Sequence, residues 1–191
     1  MLKKFLVIAL CLFALPVYAG HDNHKHHDDH DYKNIFSSDD PAVVRKLIEE
    51  RGLSVKARYD DNETLLIKAI DRRANSKVIS ELINMGSDLN AQDEDGDTAL
   101  IRAVDKRYDY NVIKILLDAG SNVNIQGEDG ETALMKAIDE NATEEIINLL
   151  LDSGADVNIR DRKGRSSVDY ISRESLYRNS DTLKRIQSLA K

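Results

Sequence analysis

Four glycines, Gly52, Gly86, Gly120 and Gly154, lie 34 residues apart along this chain. Other residue types repeat at the same spacing, including Thr64, Thr98 and Thr132, and also Asn90, Asn124 and Asn158. Self-similarity at a fixed period is typical of a chain in which one small unit stacks on copies of itself. Such a stack presents a long surface and needs no enclosed pocket, so we expect its function to depend on what that surface binds.

Each unit carries the signals of a turn followed by two helices. Within Asp93 to Leu100, Gly96 suits a tight turn, and Thr98 is placed to cap the helix that follows it. A second helix is predicted from about Asn111, because apolar residues then recur at helical spacing. Gly120 is expected to end that helix.

This order of turn, helix, loop, longer helix and glycine resembles the ankyrin repeat. The family's pattern is read from Asp93 to Ala119 and from Gly127 to Ile159, and Gly154 to Asn158 matches its closing Gly-Ala-Asp-Val-Asn. There are two departures. The histidine that is usual in the first helix is replaced by Ile67, Ile101 and Met135, and the loop between the helices has one extra residue and lacks the family's glycine.

The resemblance implies an all-α fold, an ankyrin-repeat solenoid of helix-loop-helix units joined by short hairpin or turn connections. We predict three full repeats, at 61–94, 95–128 and 129–162, between an N-terminal capping repeat at 34–60 and a C-terminal capping repeat at 163–191. In the first cap, Pro41 follows Asp40, which is typical of a helix start, and Tyr32 to Ser37 supplies a short first helix.

The first nineteen residues have the pattern of a secretory signal peptide. Lys3 and Lys4 precede an apolar run from Phe5 to Leu15, and Val17 and Ala19 suit cleavage after Ala19. The run is too short to span a bilayer of roughly 30 Å. We therefore expect an exported protein, periplasmic or secreted and of bacterial origin; the alternative is a buried N-terminal helix.

Cleavage changes the chemistry of the mature chain. It removes Cys11, the only cysteine, and the loss of Lys3 and Lys4 takes the formal charge from −7 to −9. A chain without cysteine suits an oxidising compartment. A strongly acidic chain is a poor ligand for nucleic acid or an anionic membrane, so neither is expected as a partner, and we expect a monomer with no membrane insertion after cleavage.

All histidines lie in a short tail at 20–33, interleaved with aspartates. They are His21, His24, His26, His27 and His30. Imidazole and carboxylate groups suit Zn²⁺, Cu²⁺ or Ni²⁺, so the tail is a candidate metal site. It contains too few apolar residues to build a core, and we expect it to be disordered without metal. The alternative is a polar linker that has no physiological metal.

No catalytic constellation is evident in the sequence. With the histidines confined to the tail and cysteine removed, the repeats cannot assemble a histidine- or cysteine-based triad. Asp93, Asp95 and Gly96 resemble part of a calcium loop but lack its remaining ligands. We expect no enzyme activity and no cofactor beyond a metal on the tail.

The resemblance implies a concave groove, formed by the turn tips and the first helices, as the face that binds a protein partner. The candidate residues at the tips are Asp61, Glu63, Asp95, Asp97, Asp129 and Glu131, followed by the basic Arg162, Lys163 and Arg165. The first helices add Lys68, Arg102 and Lys136, which we expect to pair with the residues three positions later, Asp71, Asp105 and Asp139. Pairs of this kind also occur on solvated helices that bind nothing.

Because the tips are expected to be hydrated, replacing Asp95, Asp97, Asp129 and Glu131 should barely change stability. Tyr108 and Tyr110 are candidate anchors for the partner, and the alternative is that they pack against the neighbouring loop.

We predict an exported module that binds a protein through its charged concave face. The alternative function is metal handling through the histidine-rich tail.

Overall fold

The computed structural model describes residues 34–190, and within that range nine α-helices stack in two layers. The first layer holds α2 (Leu65–Asp71), α4 (Ala99–Asp105), α6 (Ala133–Asp139) and α8 (Ser167–Arg173). The second layer holds α1 (Pro41–Glu50), α3 (Ser76–Asn84), α5 (Tyr110–Asp118), α7 (Glu144–Asp152) and α9 (Asp181–Leu189). Each helix packs against the next helix of its own layer, which confirms the all-α solenoid.

The predicted signal peptide, the histidine-rich tail and Tyr32 lie outside the described residues. The short first helix of the N-terminal cap is represented by a 3₁₀ turn at Ile35–Ser37. Similar turns occur at Asp60–Asn62, Glu128–Gly130 and Ser175–Tyr177. None of the described helices has the length and apolar content needed to cross a membrane.

Helix starts follow the capping residues that the sequence indicates. The side chains of Thr64, Thr98 and Thr132 each accept a hydrogen bond, 3.3 Å long, from the backbone N–H three residues later. Asp40 caps α1 by accepting a hydrogen bond of 2.9 Å from the backbone N–H of Ala42, two residues later. Gly120 ends α5 with a φ of 102°, in the left-handed region where glycine is favoured, which confirms its predicted role.

The core runs along the whole stack between the two helix layers. Ile67, Ile101 and Met135, which replace the family's histidine, are all buried, so apolar packing fills those positions. The loops between paired helices lack the family's glycine. Arg73, Arg107 and Asn141 take a left-handed conformation there, with φ near 55°.

Candidate partner-binding surface

The turns between units form a continuous row along one edge of the stack. The backbone N–H of Glu94 donates to the carbonyl of Asp61 at 3.0 Å, and that of Arg162 donates to the carbonyl of Asp129 at 2.8 Å. Between these two links, the N–H of Glu128 donates to Oδ1 of Asp97 at 3.0 Å. The tip of each turn is therefore fixed relative to the next.

A ladder of side chains reinforces this row. Nε2 of Gln92 donates to the carbonyls of Gly96 at 2.6 Å and Gln126 at 3.1 Å, and Gln126 repeats the pattern with Gly130 and Arg160. Sequence reasoning missed this ladder, although Gln92 and Gln126 lie 34 residues apart and carried the signal. Because the ladder joins neighbouring units, the turns present a preorganised surface.

Arg102 lies within a cluster of carboxylates at the turn of its own unit. The nearly buried Asp93 accepts hydrogen bonds at Oδ1 from the N–H groups of Asp95 and Asp97, at 3.0 and 2.9 Å. The guanidinium of Arg102 donates to Asp93 Oδ2 and Asp95 Oδ2, each at 2.8 Å, and lies 3.5 Å from Asp97. The charge of Arg102 is therefore largely used inside the protein, and the predicted pair with Asp105 is wrong.

The lysines of the first helices also pair elsewhere. Lys68 Nζ donates to Glu63 Oε2 at 2.6 Å, and Lys136 Nζ lies 3.2 Å from Asp105 of the preceding unit. Asp71 lies 3.7 Å from Lys106 of the following unit. Stacking brings a neighbouring helix as close as the next turn of the same helix, and the predicted pair of Lys136 with Asp139 is wrong. The pair of Lys68 with Asp71 stays a prediction.

Asp97 and Glu131 are not on hydrated tips as expected. Asp97 is only 6 % exposed, and burial raises the pKa of its carboxyl group despite the hydrogen bond from Glu128 and the charge of Arg102. Glu131 is half-buried and accepts a hydrogen bond of 2.5 Å from the hydroxyl of Tyr170. Their replacement is therefore expected to affect the fold, contrary to the sequence-based expectation.

The C-terminal turn has its own buried network. Asp161 accepts hydrogen bonds from the guanidinium and the backbone N–H of Arg165 and from the hydroxyl of Tyr170, at 2.6 to 2.9 Å. Asp161 and Glu131 share the single hydroxyl hydrogen of Tyr170. Burial alone would raise the pKa of Asp161, but these hydrogen bonds outweigh it and lower the pKa to about 2. The guanidinium of Arg165 also stacks 4.5 Å from the centre of the Tyr170 ring.

After these internal pairings, six exposed charged side chains remain in a row at the tips. The acidic members come first and the basic members last: Asp61, Glu94, Glu128, Asp129, Arg162 and Lys163. We call these six residues the turn-tip row. Asp95 is 44 % exposed at its side chain and is bonded to Arg102, so it lies at the margin of this row.

The two candidate tyrosines lie at the other end of the helix pairs. Tyr108 is in the loop between α4 and α5, and Tyr110 is the first residue of α5. The hydroxyl of Tyr108 donates to the carbonyls of Ile70 and Ala74 at 2.9 and 3.3 Å, and burial raises its pKa to about 12. Tyr108 therefore packs against the preceding unit, as in the alternative weighed from the sequence. Tyr110 is 40 % exposed.

The part of the chain that the structure describes contains no cluster of three or more His, Cys, Asp or Glu side chains that would hold a metal ion. The candidate ligands in the tail, His21 to His30, lie outside that part.

Comparison with known protein families gives two matches. A family model described as "Ankyrin repeats (3 copies)" matches residues 35–127. A second, described as "Ankyrin repeats (many copies)", matches residues 116–171. A comparison with curated proteins found no match.

Proposed function

The chain belongs to the ankyrin-repeat family, and we propose that it binds another protein through the turn-tip row. Ankyrin repeats are generally protein–protein interaction modules and are typically not enzymes.

The observation that carries the proposal is the sign of charge along the row. Over three consecutive turns the members of the turn-tip row are acidic, from Asp61 to Asp129, and at the fourth turn they change to Arg162 and Lys163. The exposed Arg58 of the first turn is not a member, because its guanidinium donates to the carbonyls of Asn62 and Gln92. The hydrogen bonds between turns hold these charges at fixed spacing. A fixed charge pattern favours a partner with the complementary pattern and speeds its diffusional encounter.

The partner that fits this row is a protein with a basic face and an acidic patch at one end. The basic face would contact the acidic turns, and the acidic patch would contact the turn of Arg162 and Lys163. The charges of Lys68, Arg102 and Lys136 contribute less to recognition because they are paired with carboxylates of the protein itself. Their role is to hold the surface in shape.

We also propose that this interaction takes place outside the cytoplasm, in the periplasm or after secretion. The proposal rests on the pattern of Lys3 to Ala19 in the sequence. Intact mass of the protein purified from its natural host is expected to show a chain that begins at Gly20. A chain that retains Met1 would contradict export.

Photo-crosslinking in the host tests the proposed surface. A photoreactive amino acid replaces Glu128 or Lys163 of the row, and in matched controls it replaces the exposed Glu49 of α1 or Asp181 of α9. We expect one protein to be crosslinked from both tip positions and from neither control position. Crosslinking of the same partner from the control positions alone would place the interface on the second helix layer.

A second proposed function is capture of a divalent transition metal by the tail. The supporting observation is that all five histidines lie between His21 and His30, among aspartates. Neutral imidazole and carboxylate groups are suitable ligands for Zn²⁺, Cu²⁺ and Ni²⁺. The repeats would then display the tail and would not supply ligands themselves.

A further inference from the structure

Tyrosine side chains fill two of the gaps between neighbouring helix pairs. Tyr108, in the α4–α5 loop, fills the gap to the α2/α3 pair and donates to the carbonyls of Ile70 and Ala74. Tyr177, in the α8–α9 connection, is 1 % exposed and donates to the carbonyl of Ala142 in the α6–α7 loop at 2.5 Å. In both cases a phenol closes the gap and its hydroxyl bonds to backbone carbonyls of the preceding pair.

The gap between the α4/α5 pair and the α6/α7 pair has no such tyrosine. Ala142 stands there, 34 residues after Tyr108. A cavity of about 360 Å³ opens at this place, and its walls include the apolar Val104, Ile113 and Ile146 together with Tyr108 and Tyr110. That volume lies within the range of roughly 300 to 1,000 Å³ that is usual for ligand sites.

The cavity also repeats the polar groups that hold a phenol in the first gap. The carbonyls of Val104 and Tyr108 lie 34 residues after those of Ile70 and Ala74, which accept the Tyr108 hydroxyl. Ala142 has no hydroxyl to offer them, and a phenol bound in the cavity would supply the corresponding donor.

In the gap that Tyr108 fills, a guanidinium contacts the tyrosine ring, and the cavity has a corresponding arginine. The guanidinium of Arg73 lies 5.8 Å from the centre of the Tyr108 ring. Arg107, 34 residues later, lines the cavity. A ring bound in the cavity would therefore meet a guanidinium as Tyr108 does, and contacts of this kind are favourable.

The charged side chains at the rim of the cavity favour basic residues on either side of a bound phenol group. Asp109 and Glu145 are exposed at the rim, while Arg107 is paired with Glu140 at 2.9 Å. The net charge of the rim is therefore negative. The cavity continues into an open groove between α5 and α7, since Tyr110 and Glu145 line both. An extended chain segment fits a groove of this shape.

We propose that the cavity binds a tyrosine side chain of another protein, carried on an extended segment with lysine or arginine beside the tyrosine. The tyrosine enters beside Ala142 and donates its hydroxyl hydrogen to the carbonyls of Val104 and Tyr108. The site lies at the opposite end of the helix pairs from the turn-tip row, so it goes beyond the proposed function and is tested separately from it.

The test is an NMR titration of the ¹⁵N-labelled protein with the peptide acetyl-Gly-Lys-Tyr-Lys-Gly-amide. We expect shifts of the amide signals of Tyr108, Ala142 and Thr143, which surround the cavity. A peptide with phenylalanine in place of tyrosine loses the hydroxyl bonds and is expected to bind about 3 to 10 times more weakly. A peptide with serine at that position is expected not to bind.

Three variants separate the cavity from the rest of the surface. Ala142→Tyr supplies the missing side chain from the protein itself, and we expect it to raise Tm by roughly 2–4 °C and to abolish peptide binding. Ala119→Tyr adds a tyrosine at an exposed position and is expected to leave binding unchanged. Tyr110→Ser removes an exposed wall without risk to the core and is expected to weaken binding at least threefold.

Three results would overturn the proposal. They are equal binding of the tyrosine and phenylalanine peptides, unchanged binding to both Ala142→Tyr and Tyr110→Ser, and no cavity shifts at millimolar peptide. Cavity shifts with 4-methylphenol but with none of the peptides would assign the site to a small phenol and would also overturn the proposal of a protein ligand.

Discussion

The carboxylate of Asp97 occupies the space beside the α-carbon of Gly127, which lies in the next turn along the stack. A Cβ atom on Gly127 would lie 1.9 Å from Oδ1 of Asp97, which accepts the hydrogen bond from Glu128 N at 3.0 Å. Asp93 and Asp161 lie 34 residues before and after Gly127, and each accepts backbone hydrogen bonds within its own turn. The turn that begins at Gly127 has glycine at this position and is bonded instead by the carboxylate of Asp97 from the preceding turn.

Gly127→Ala is therefore expected to destabilise the protein. The φ of Gly127 is −94°, so the cost arises mainly from the clash with Asp97 and the lost hydrogen bond to Glu128. We expect the free energy of unfolding to fall by about 1–3 kcal/mol in urea denaturation. The control is the same substitution in an Asp97→Ala background, where its cost should be at least about 1 kcal/mol smaller. Additive effects of the two substitutions would contradict this account.

Arg102→Met is expected to be among the more damaging surface-facing substitutions. It leaves Asp93 and Asp97, whose side chains are 1 % and 8 % exposed, without their shared cation. Breaking a buried ion pair from one side typically costs about 3–5 kcal/mol. The matched control is Lys114→Met, which breaks an exposed pair with Asp118 and should cost no more than about 0.5 kcal/mol. Similar losses of unfolding free energy in the two variants would show that the Arg102 cluster is not buried as described.

The two buried aspartates should have opposite effects on the pH dependence of stability. The pKa of Asp161 falls from 3.8 to about 2 on folding, so its carboxylate stabilises the fold above pH 3.8, and this contribution is lost as the pH falls towards 2. The pKa of Asp97 is raised from 3.8 by burial, so the fold gains stability from its protonation as the pH falls towards 3.8.

Urea denaturation of the wild type, Asp161→Asn and Asp97→Asn between pH 2 and 6 checks these signs. The stability advantage of the wild type over Asp161→Asn should shrink below pH 3.8. The stability of the wild type relative to Asp97→Asn should instead increase as the pH falls towards 3.8. Parallel curves for the wild type and Asp161→Asn across this window would contradict the network around Asp161.

The tail is expected to bind at least one divalent ion without support from the repeats. Calorimetric titration of the chain that begins at Gly20 with Zn²⁺ or Cu²⁺ should show binding at micromolar metal. Replacing the five histidines by glutamine is expected to abolish it, because glutamine keeps the polarity but not the imidazole ligand. Equal binding by both chains, or none by either, would mean that the histidines form only a linker.

Much of the fold follows from local sequence rules. The spacing of 34 residues fixes the repeated unit, Thr98 caps its helix as predicted, and Gly120 ends the second helix through a left-handed conformation. Each of these features depends on residues close in sequence. They are therefore visible without knowledge of how the units pack.

The details of the surface were harder to predict because they depend on the neighbouring unit. Lys136 could pair with Asp139 of its own helix or with Asp105 of the preceding helix in the stack, and the distance between the helices decides between them. In the structure Lys136 pairs with Asp105. The burial of Asp97 likewise requires that residue 127, thirty positions later, lacks a side chain. The cavity beside Ala142 is recognised once Tyr108 is seen to fill the equivalent gap.

The most direct test of the proposed function is the association rate of the crosslinked partner at two salt concentrations. The test protein carries Asp61→Asn, Glu94→Gln, Glu128→Gln and Asp129→Asn in the turn-tip row. The matched control removes the same number of exposed acidic charges from the second helix layer, through Glu49→Gln, Glu50→Gln, Asp118→Asn and Asp181→Asn.

At about 20 mM NaCl the association rate of the turn-tip variant should be at least about ten times lower than that of the wild type, and the control should match the wild type. At about 200 mM NaCl screening should remove most of the difference. Equal rates for the turn-tip variant, the control and the wild type at low salt would contradict binding through the turn-tip row.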